Sequence, residues 1–291
     1  MNFRVHKSGR VELLESFHAR SANPPEEIGR ETGVVCHLLD TGGQSVISHH
    51  CQVVNPHMED GDAYVDYFEA LPLDTVRVED VQAIQINQNG HVQTLDVSGG
   101  APVVSMKAAK ETKSRSTLRR IEWETTRPAD SSPGYPVHYI LRYSADGGTT
   151  WRALAAGLTA TSYVANMDLL PGGDHCLFEV IATAGIRSAT SRTKPEKIAR
   201  KPRKAYILTP ADKSTTIRQG EEIEFVGGGF SPEAGTTDFD EVTWYSDKDG
   251  LLGKGYQVFT NALSKGVHTV SLRFPNGLGK EASGSVSVTV A

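Results

Sequence analysis

Residues 139–151 have the sequence YILRYSADGGTTW. Its first part belongs to a strand predicted over residues 137–143, and a short polar turn follows. Asp146 can accept backbone N–H bonds within that turn, and the two glycines after it tolerate the backbone angles that tight turns require. Trp151 can then cover the hairpin. The stretch therefore predicts two strands joined by a tight, hydrogen-bonded turn.

Similar short strands are predicted along the whole chain. Its 28 glycines and 14 prolines follow no collagen period and therefore indicate many turns. Asn89-Gly90 lies between two alternating segments and is a strong hairpin signal, because both central residues of a type I′ turn need positive φ. A second hairpin is predicted where residues 33–39 enter a glycine-containing loop and residues 45–54 return. No helix of ten or more residues with a 3.6-residue period is predicted, so the chain is predicted to be all-β.

Composition and charge exclude several classes of protein. The chain has 291 residues with 38% hydrophobic and 22% charged side chains, which is typical of globular proteins and excludes disordered and fibrous ones. No apolar stretch reaches the ~18 residues of a membrane helix, so no membrane span is predicted. Residues 1–100 carry 6 basic and 15 acidic side chains, residues 101–202 carry 15 and 9, and residues 203–291 carry 9 and 11. This asymmetry favours docking between domains or a charged partner.

The middle third of the chain carries an ordered set of motifs. Trp123 lies on a predicted strand and is expected to point inward, and the hairpin of residues 139–151 follows. A Leu-Pro-Gly corner at residues 170–172 and a strand over 176–182 complete the set. This order resembles the fibronectin type III module over residues 101–196. The resemblance implies a β-sandwich that acts as an interaction or spacer module.

The last third carries a second set. It contains TPAD at 209–212, GEEIEFVGGG at 220–229, VTWYSDKDG at 242–250 and GVHTVSL at 266–272. The pattern resembles bacterial immunoglobulin-like or PKD-like domains. Modules of both families are often carried behind the catalytic domains of bacterial secreted and surface enzymes, metalloproteases among them. The first hundred residues are expected to form a similar accessory β-sandwich.

These resemblances predict three consecutive antiparallel β-sandwich domains, over residues 1–100, 101–200 and 203–291. The basic segment 194–204 contains two prolines and is predicted to be a linker. The compartment stays open. Residues 1–7 have no apolar segment typical of a signal peptide, and an odd number of cysteines favours a reducing cytosol, whereas the family resemblance favours export.

Cysteine and histidine side chains lie on both arms of the first predicted hairpin. They are Cys36, His37, His49, His50 and Cys51, with His57 nearby. Such residues can bind Zn²⁺, but neighbouring strand residues point to opposite faces and no C-x₂-C spacing is present. If the loop centres near Gly42, residue 36 lies opposite about residue 48, and Cys51 points to the other face from Cys36 unless a bulge intervenes. The two cysteines are therefore predicted to form neither a disulfide nor a shared zinc site.

Acidic and basic clusters are candidate ion or phosphate sites. The acidic ones are Glu59, Asp60, Gly61 and Asp62 with Asp66; Asp238, Asp240 and Glu241; and Asp247 and Asp249. They could hold Ca²⁺, but none has EF-hand spacing, and solvated loops are favoured. The basic ones are Lys107, Lys110, Lys113, Arg115, Arg119 and Arg120, with residues 194–204. They lack interleaved aromatic residues, so contact with the acidic first domain or an acidic partner is favoured over nucleic acid.

No local signature of catalysis is present. Residues 144–151 match the S-x-D-x-G-x-T-W box of sialidases, but it occurs once, so it predicts a structural turn and no propeller. Residues 277–282 match G-x-G-x-x-A but precede a predicted strand, so they cannot cradle a phosphate. No catalytic, cofactor-binding or metal-ligating residue and no cofactor is assigned, with Ca²⁺ or Zn²⁺ kept as alternatives. The prediction is a non-catalytic protein-interaction or scaffolding protein, not an enzyme, with a protein partner and carbohydrate as a second candidate ligand. The alternative is an accessory C-terminal tail of a bacterial, metalloprotease-like hydrolase that binds a metal or carbohydrate.

Overall fold

The computed structural model describes residues 1–16, 30–53, 64–71, 73, 76–107, 117–127 and 134–291. The chain divides into two compact units. The first unit comprises Met1–Ala165 and Leu177–Pro195, and the second comprises Asn166–Cys176 and Glu196–Ala291. None of the helices in the described ranges has the length and apolarity that a membrane crossing requires.

The described part of the first hundred residues forms two antiparallel sheets. Its strands are β1 (Asn2–His6), β2 (Val11–Leu13), β3 (Arg30–Leu39), β4 (Ser45–Val53), β5 (Tyr64–Phe68), β6 (Ala83–Gln88) and β7 (His91–Asp96), with a 3₁₀ turn at Val78–Asp80. The sheet orders are β2-β1-β5 and β4-β3-β6-β7. Phe3 of β1 and Ile84 of β6 belong to one buried cluster, so the two sheets share a core. Asn89 and Gly90 both have positive φ between β6 and β7, which confirms the predicted hairpin.

Residues 101–198 form a second pair of sheets. The strands are β8 (Val103–Met106), β9 (Leu118–Thr126), β10 (His138–Ser144), β11 (Arg152–Leu158), β12 (Ser162–Asn166), β13 (Gly173–Ala184), β14 (Arg187–Arg192) and β15 (Glu196–Ile198), with a 3₁₀ turn at Met167–Leu169. The orders are β11-β10-β13-β14 and β12-β9-β8. Trp123 of β9 is 1% exposed and meets the Tyr139 ring of β10 edge-on at 5.4 Å between centroids. The inward orientation predicted for Trp123 is confirmed.

Residues 204–290 form a third pair of sheets. The strands are β16 (Lys204–Thr209), β17 (Ser214–Ile217), β18 (Ile223–Ser231), β19 (Gly235–Thr236), β20 (Thr243–Ser246), β21 (Gly250–Lys254), β22 (Gln257–Thr260), β23 (Gly266–Pro275) and β24 (Glu281–Val290), with a 3₁₀ turn at Phe239–Glu241. One sheet contains β16, β18, β19 and β22, and the other has the order β17-β24-β23-β20-β21. Phe225 and Trp244 pack between them with ring centroids 5.4 Å apart. The all-β sandwich prediction is confirmed, although β17 pairs with β24 in parallel.

In the first unit, the β13–β14 hairpin contacts the core formed by the first hundred residues. Ile186 belongs to the same buried cluster as Phe3 and Ile84. Arg187 is 5% exposed and donates to the backbone carbonyls of Gly99 and Val81 at 3.1 and 2.5 Å. A buried guanidinium needs such acceptors because water no longer solvates it. The three-domain boundaries stay a prediction, since they concern independent folding.

In the second unit, the basic segment predicted as a linker is bonded to its surroundings. β15 pairs with Gly173 and Cys176 at the start of β13. One carboxylate oxygen of Glu233 accepts the backbone N–H groups of Lys201 and Gly172, each at 2.7 Å. These bonds hold the Leu-Pro-Gly corner and the basic segment together, so the segment differs from a free linker.

Candidate interaction surface

The turn between β10 and β11 has the hydrogen bonds that its sequence predicts. Asp146 accepts the backbone N–H of Thr150 at 2.9 Å and its hydroxyl at 2.6 Å. These bonds, together with one from Ser144, lower the pKa of Asp146 to about 2 because they stabilise the carboxylate form. Gly147 and Gly148 have φ of 73° and 92°. The turn is therefore ordered at neutral pH.

Trp151 closes this turn and lies half-buried against two arginines. Its indole N–H donates to the carbonyl of Gly148 at 3.0 Å. The guanidinium carbons of Arg142 and Arg192 lie 4.6 and 5.1 Å from the centre of its ring system. Both distances are within the range of cation–π attraction.

The same two arginines bind one buried carboxylate. Arg142, Glu179 and Arg192 lie directly opposite one another on β10, β13 and β14, so they share one face of the sheet. The Glu179 side chain is fully buried, and each arginine Nε donates to a different one of its oxygens. We call Arg142, Glu179, Arg192 and Trp151 the arginine–tryptophan cluster. It carries two positive charges and one negative charge, all held in fixed positions.

A pocket lies at the other end of the same sheet face. It has a volume of about 260 Å³, and its lining includes Leu13, Leu14, Glu15, Tyr135, Pro136 and His138. Nδ1 of His138 lies 3.0 Å from a Glu15 carboxylate oxygen, without the alignment of a hydrogen bond. Most of the lining is apolar, so the pocket suits an apolar ligand group. Glu15 and His138 form one acid–histidine pair in its wall.

Strand register connects the pocket to the cluster. His138, Ile140 and Arg142 alternate along β10 on one face and lie opposite Thr183, Ile181 and Glu179 of β13. The pairing has no register shift over these residues. Four strand positions from His138 to Arg142 correspond to ~13 Å. We call this face of the sheet, from the pocket to the cluster, the candidate surface.

The Cys–His hairpin places its residues differently from the prediction. Cys36 lies opposite His49 instead of residue 48, because a β-bulge shifts the register between Leu38 and Leu39. Cys51 therefore lies on the same face as Cys36, and the predicted opposite orientation is wrong. Both are buried free thiols, and burial raises the pKa of Cys36 to about 12. Among the described residues no group of three His, Cys, Asp or Glu side chains is arranged to hold a metal ion, and His57 lies outside them.

Four side chains of the acidic clusters, those of Asp66, Asp247, Asp249 and Glu241, have bonded partners in the described part of the chain. Asp66 accepts from Arg4 at 2.6 and 2.9 Å, whereas residues 59–62 lie outside the described ranges. Asp247 and Asp249 accept the backbone N–H groups of Thr269 and Ser264 at 2.8 and 2.9 Å. Glu241 pairs with Arg203 at 3.3 Å. These bonds fix loops and do not converge on a cation site.

The basic cluster is partly described. Lys107 pairs with Glu124 at 2.7 Å and Arg120 with Glu122 at 2.9 Å, while Lys110, Lys113 and Arg115 lie outside the described residues. The guanidinium of Arg119 lies 5.5 Å from the centre of the Phe178 ring. Acidic neighbours therefore neutralise part of this cluster.

Residues of the types found in hydrolytic triads meet in the second unit, although no sequence spacing indicated them. Nδ1 of His268 is 2.9 Å from the Ser246 hydroxyl and 3.5 Å from an Asp249 oxygen. Nε2 of His268 is bonded to the Ser264 carbonyl at 2.5 Å, and the imidazole is fully buried. Both ring nitrogens of His268 are bonded and the ring is not exposed. His268, Ser246 and Asp249 therefore stabilise the β20–β21 turn.

Comparisons with known proteins identify no family for the chain. No protein-family model and no curated protein matches it. The structure of Clostridium thermocellum CbhA fibronectin(III)-like modules is similar over 66% of this chain and 90% of that one, with 14% identity and a TM-score of 0.25. The N-terminal four Ig domains of Dscam1 isoform 6.9 are similar over 90% of this chain and 65% of that one, with 13% identity and a TM-score of 0.27. For chicken CNTN1 FN1-FN3 domains the shares are 89% and 91%, with 11% identity and a TM-score of 0.22. At such TM-scores these likenesses do not establish a family for the chain.

Proposed function

We propose that the chain is a non-catalytic protein-interaction module that binds its partner through the candidate surface. The observation that carries the proposal is the arginine–tryptophan cluster, in which Trp151 packs against two arginines that share the buried Glu179. Tryptophan and arginine are enriched among the residues that dominate binding energy in protein interfaces. The cluster is ordered before binding, so the entropy cost of association is reduced.

The sequence resemblance adds a context to this proposal. The motif orders in residues 101–196 and 203–291 resemble accessory modules carried by bacterial secreted enzymes, so the partner could be part of the same longer polypeptide. A hydrolase domain encoded directly upstream in the same reading frame would support this accessory role. A free-standing gene would favour an adaptor.

The test compares partner capture by the wild-type chain with capture by two variants, in each of which one aromatic side chain is truncated to alanine. Immobilised wild-type chain, Trp151→Ala and Phe259→Ala are exposed to an extract of the native host, and bound proteins are quantified by mass spectrometry. Phe259 is 55% exposed and lies in the second unit, so it controls for the loss of an exposed ring. We expect at least one protein to be captured by wild type and Phe259→Ala and lost with Trp151→Ala. Identical sets from all three would contradict the proposal. Circular dichroism establishes that each variant is folded.

A further inference from the structure

We infer that the candidate surface binds an extended acidic peptide, with a carboxylate on the two arginines and an apolar side chain in the pocket. This inference rests on the proposed function and names the chemistry of its partner. Three features carry it: the charge of the arginine–tryptophan cluster, the lining of the pocket and the distance between them.

The charge at the cluster favours a carboxylate. Arg142 and Arg192 bring two positive charges, and Glu179 cancels one of them. Each guanidinium has five N–H donors and uses Nε for Glu179, and the Arg192 side chain stays 52% exposed. Arginine binds carboxylates through paired N–H donors, and such charge-assisted bonds are roughly twice as strong as neutral ones. Ala153 of the edge strand β11 lies opposite Arg142. Ala153 is exposed and its side chain is small, so there is room for a ligand beside Arg142.

The pocket favours an apolar side chain. Leu13, Leu14, Tyr135 and Pro136 contribute apolar walls, and its volume of about 260 Å³ accommodates one large aliphatic or aromatic group. Between the pocket and the cluster, Ile140 is half-buried and Thr190 is exposed, so this part of the face is uncharged. A peptide crossing it needs small or apolar residues there.

The spacing between the two subsites fits an extended chain. The four positions from His138 to Arg142 span ~13 Å, and an extended peptide covers this length in four residues. The ligand therefore has an apolar residue and an aspartate or glutamate four positions apart. The structure leaves both chain directions open, so peptides with either order are tested.

The experiment measures binding of fluorescent peptides to the full chain by anisotropy. One peptide carries Leu and Glu four positions apart in a Ser/Thr background, with versions in both directions. A second has them two positions apart, and a third has Gln in place of Glu. We expect the first to bind at least about tenfold more tightly than the other two, and more weakly as salt increases.

Two arginine variants locate the carboxylate subsite. Arg192→Ala removes one guanidinium of the cluster, while Arg142 still pairs with Glu179. Arg152→Ala removes an equal charge from an exposed residue that lies opposite Tyr143 and therefore belongs to the other face of the sheet. We expect Arg192→Ala to weaken binding of the first peptide about tenfold and Arg152→Ala to leave it unchanged.

The opposing outcomes are distinct. Equal affinity for all peptides, or equal loss in the two arginine variants, overturns the inference. The inference is also overturned if a single-stranded oligonucleotide binds more tightly than the first peptide and this binding is lost in Arg192→Ala. That result would mean that the arginines bind phosphate. If a host protein is captured in a Trp151-dependent manner while the peptides fail to bind, the peptide chemistry is wrong and the proposed function survives.

Discussion

Two carboxylates obtain their hydrogen-bond partners in different ways: those of Asp146 lie in its own turn, and those of Glu179 lie on neighbouring strands. The sequence predicts the bonds of Asp146, and the bonds from Thr150 confirm this prediction. Glu179 could not be recognised in this way. Its partners Arg142 and Arg192 are remote in sequence, and only strand pairing places the three residues in one row.

The low pKa of Asp146 predicts how its contribution to stability depends on pH. The folded-state pKa of about 2 lies below the usual value of 3.8, so the ionised carboxylate stabilises the folded state above pH 4. This contribution is lost as the pH falls through the folded-state pKa. Urea unfolding of wild type and Asp146→Asn should show a constant stability difference from pH 5 to 7 that shrinks between pH 4 and 2. A difference independent of pH over the whole range would show that the carboxylate charge is not involved.

Removing the buried carboxylate of Glu179 should destabilise the first unit. Glu179→Gln leaves two guanidiniums without their anion, and losing one partner of a buried pair costs about 3 kcal/mol, the lower end of the range because Arg192 is half exposed. Urea unfolding followed by tryptophan fluorescence measures this cost. Glu124→Gln, which affects an exposed pair with Lys107, is the matched control and should leave stability nearly unchanged. Equal effects of both substitutions would refute the role of Glu179.

At the scale of elements, strand existence was predictable and register was not. The hairpins at Asn89-Gly90 and at residues 33–54 were indicated by alternation and turn residues. The predicted register of β3 and β4 is wrong by one residue in the part of the hairpin that lies beyond the loop. Leu39 pairs with Ser45, as a loop centred on Gly42 requires, but the bulge before it pairs Leu38 with Ile47. A bulge changes backbone geometry without a distinctive sequence, so counting across the loop could not find it.

The corrected register sharpens the prediction for the cysteines. Cys36 and Cys51 now lie diagonally on one face, where Cα atoms are ~7–8 Å apart, beyond the usual limit for a disulfide. Thiol titration in denaturant without reductant should find three free cysteines, and the native protein should react slowly because burial raises the pKa of Cys36 to about 12. One free thiol per denatured chain would mean that these two cysteines are bonded.

For the whole molecule, the sequence predicts three β-sandwiches. It does not reveal that the chain divides into two compact units. The β13–β14 hairpin places Ile186 and Arg187 against residues of the first hundred, and these residues belong to one compact unit. Ile186 and Arg187 have no sequence feature that distinguishes them from ordinary hairpin residues. Their role depends on packing between segments far apart in the chain.

Two buried tryptophans test the independence of the third sandwich. Trp123→Ala should unfold the middle module and leave residues 203–291 folded, since truncating a large buried aromatic residue costs ~3–5 kcal/mol. Trp244→Ala, at an equally buried position, should do the reverse. Differential scanning calorimetry of both variants separates the transitions. A single cooperative transition that shifts as a whole in both variants would contradict the predicted boundary at residues 200–203.

Binding of the partner at the arginine–tryptophan cluster changes the surroundings of the Trp151 indole, so the indole N–H resonances of the chain test this binding site. The chain has three tryptophans, so a ¹⁵N–¹H spectrum contains three indole signals, which Trp→Phe variants assign. Trp123 and Trp244 are buried in sandwich cores, whereas Trp151 is half-buried at the candidate surface. On saturation with the captured partner, we predict that the Trp151 signal shifts and the other two stay in place. An unchanged Trp151 signal in the saturated complex would show that the partner does not bind at the cluster.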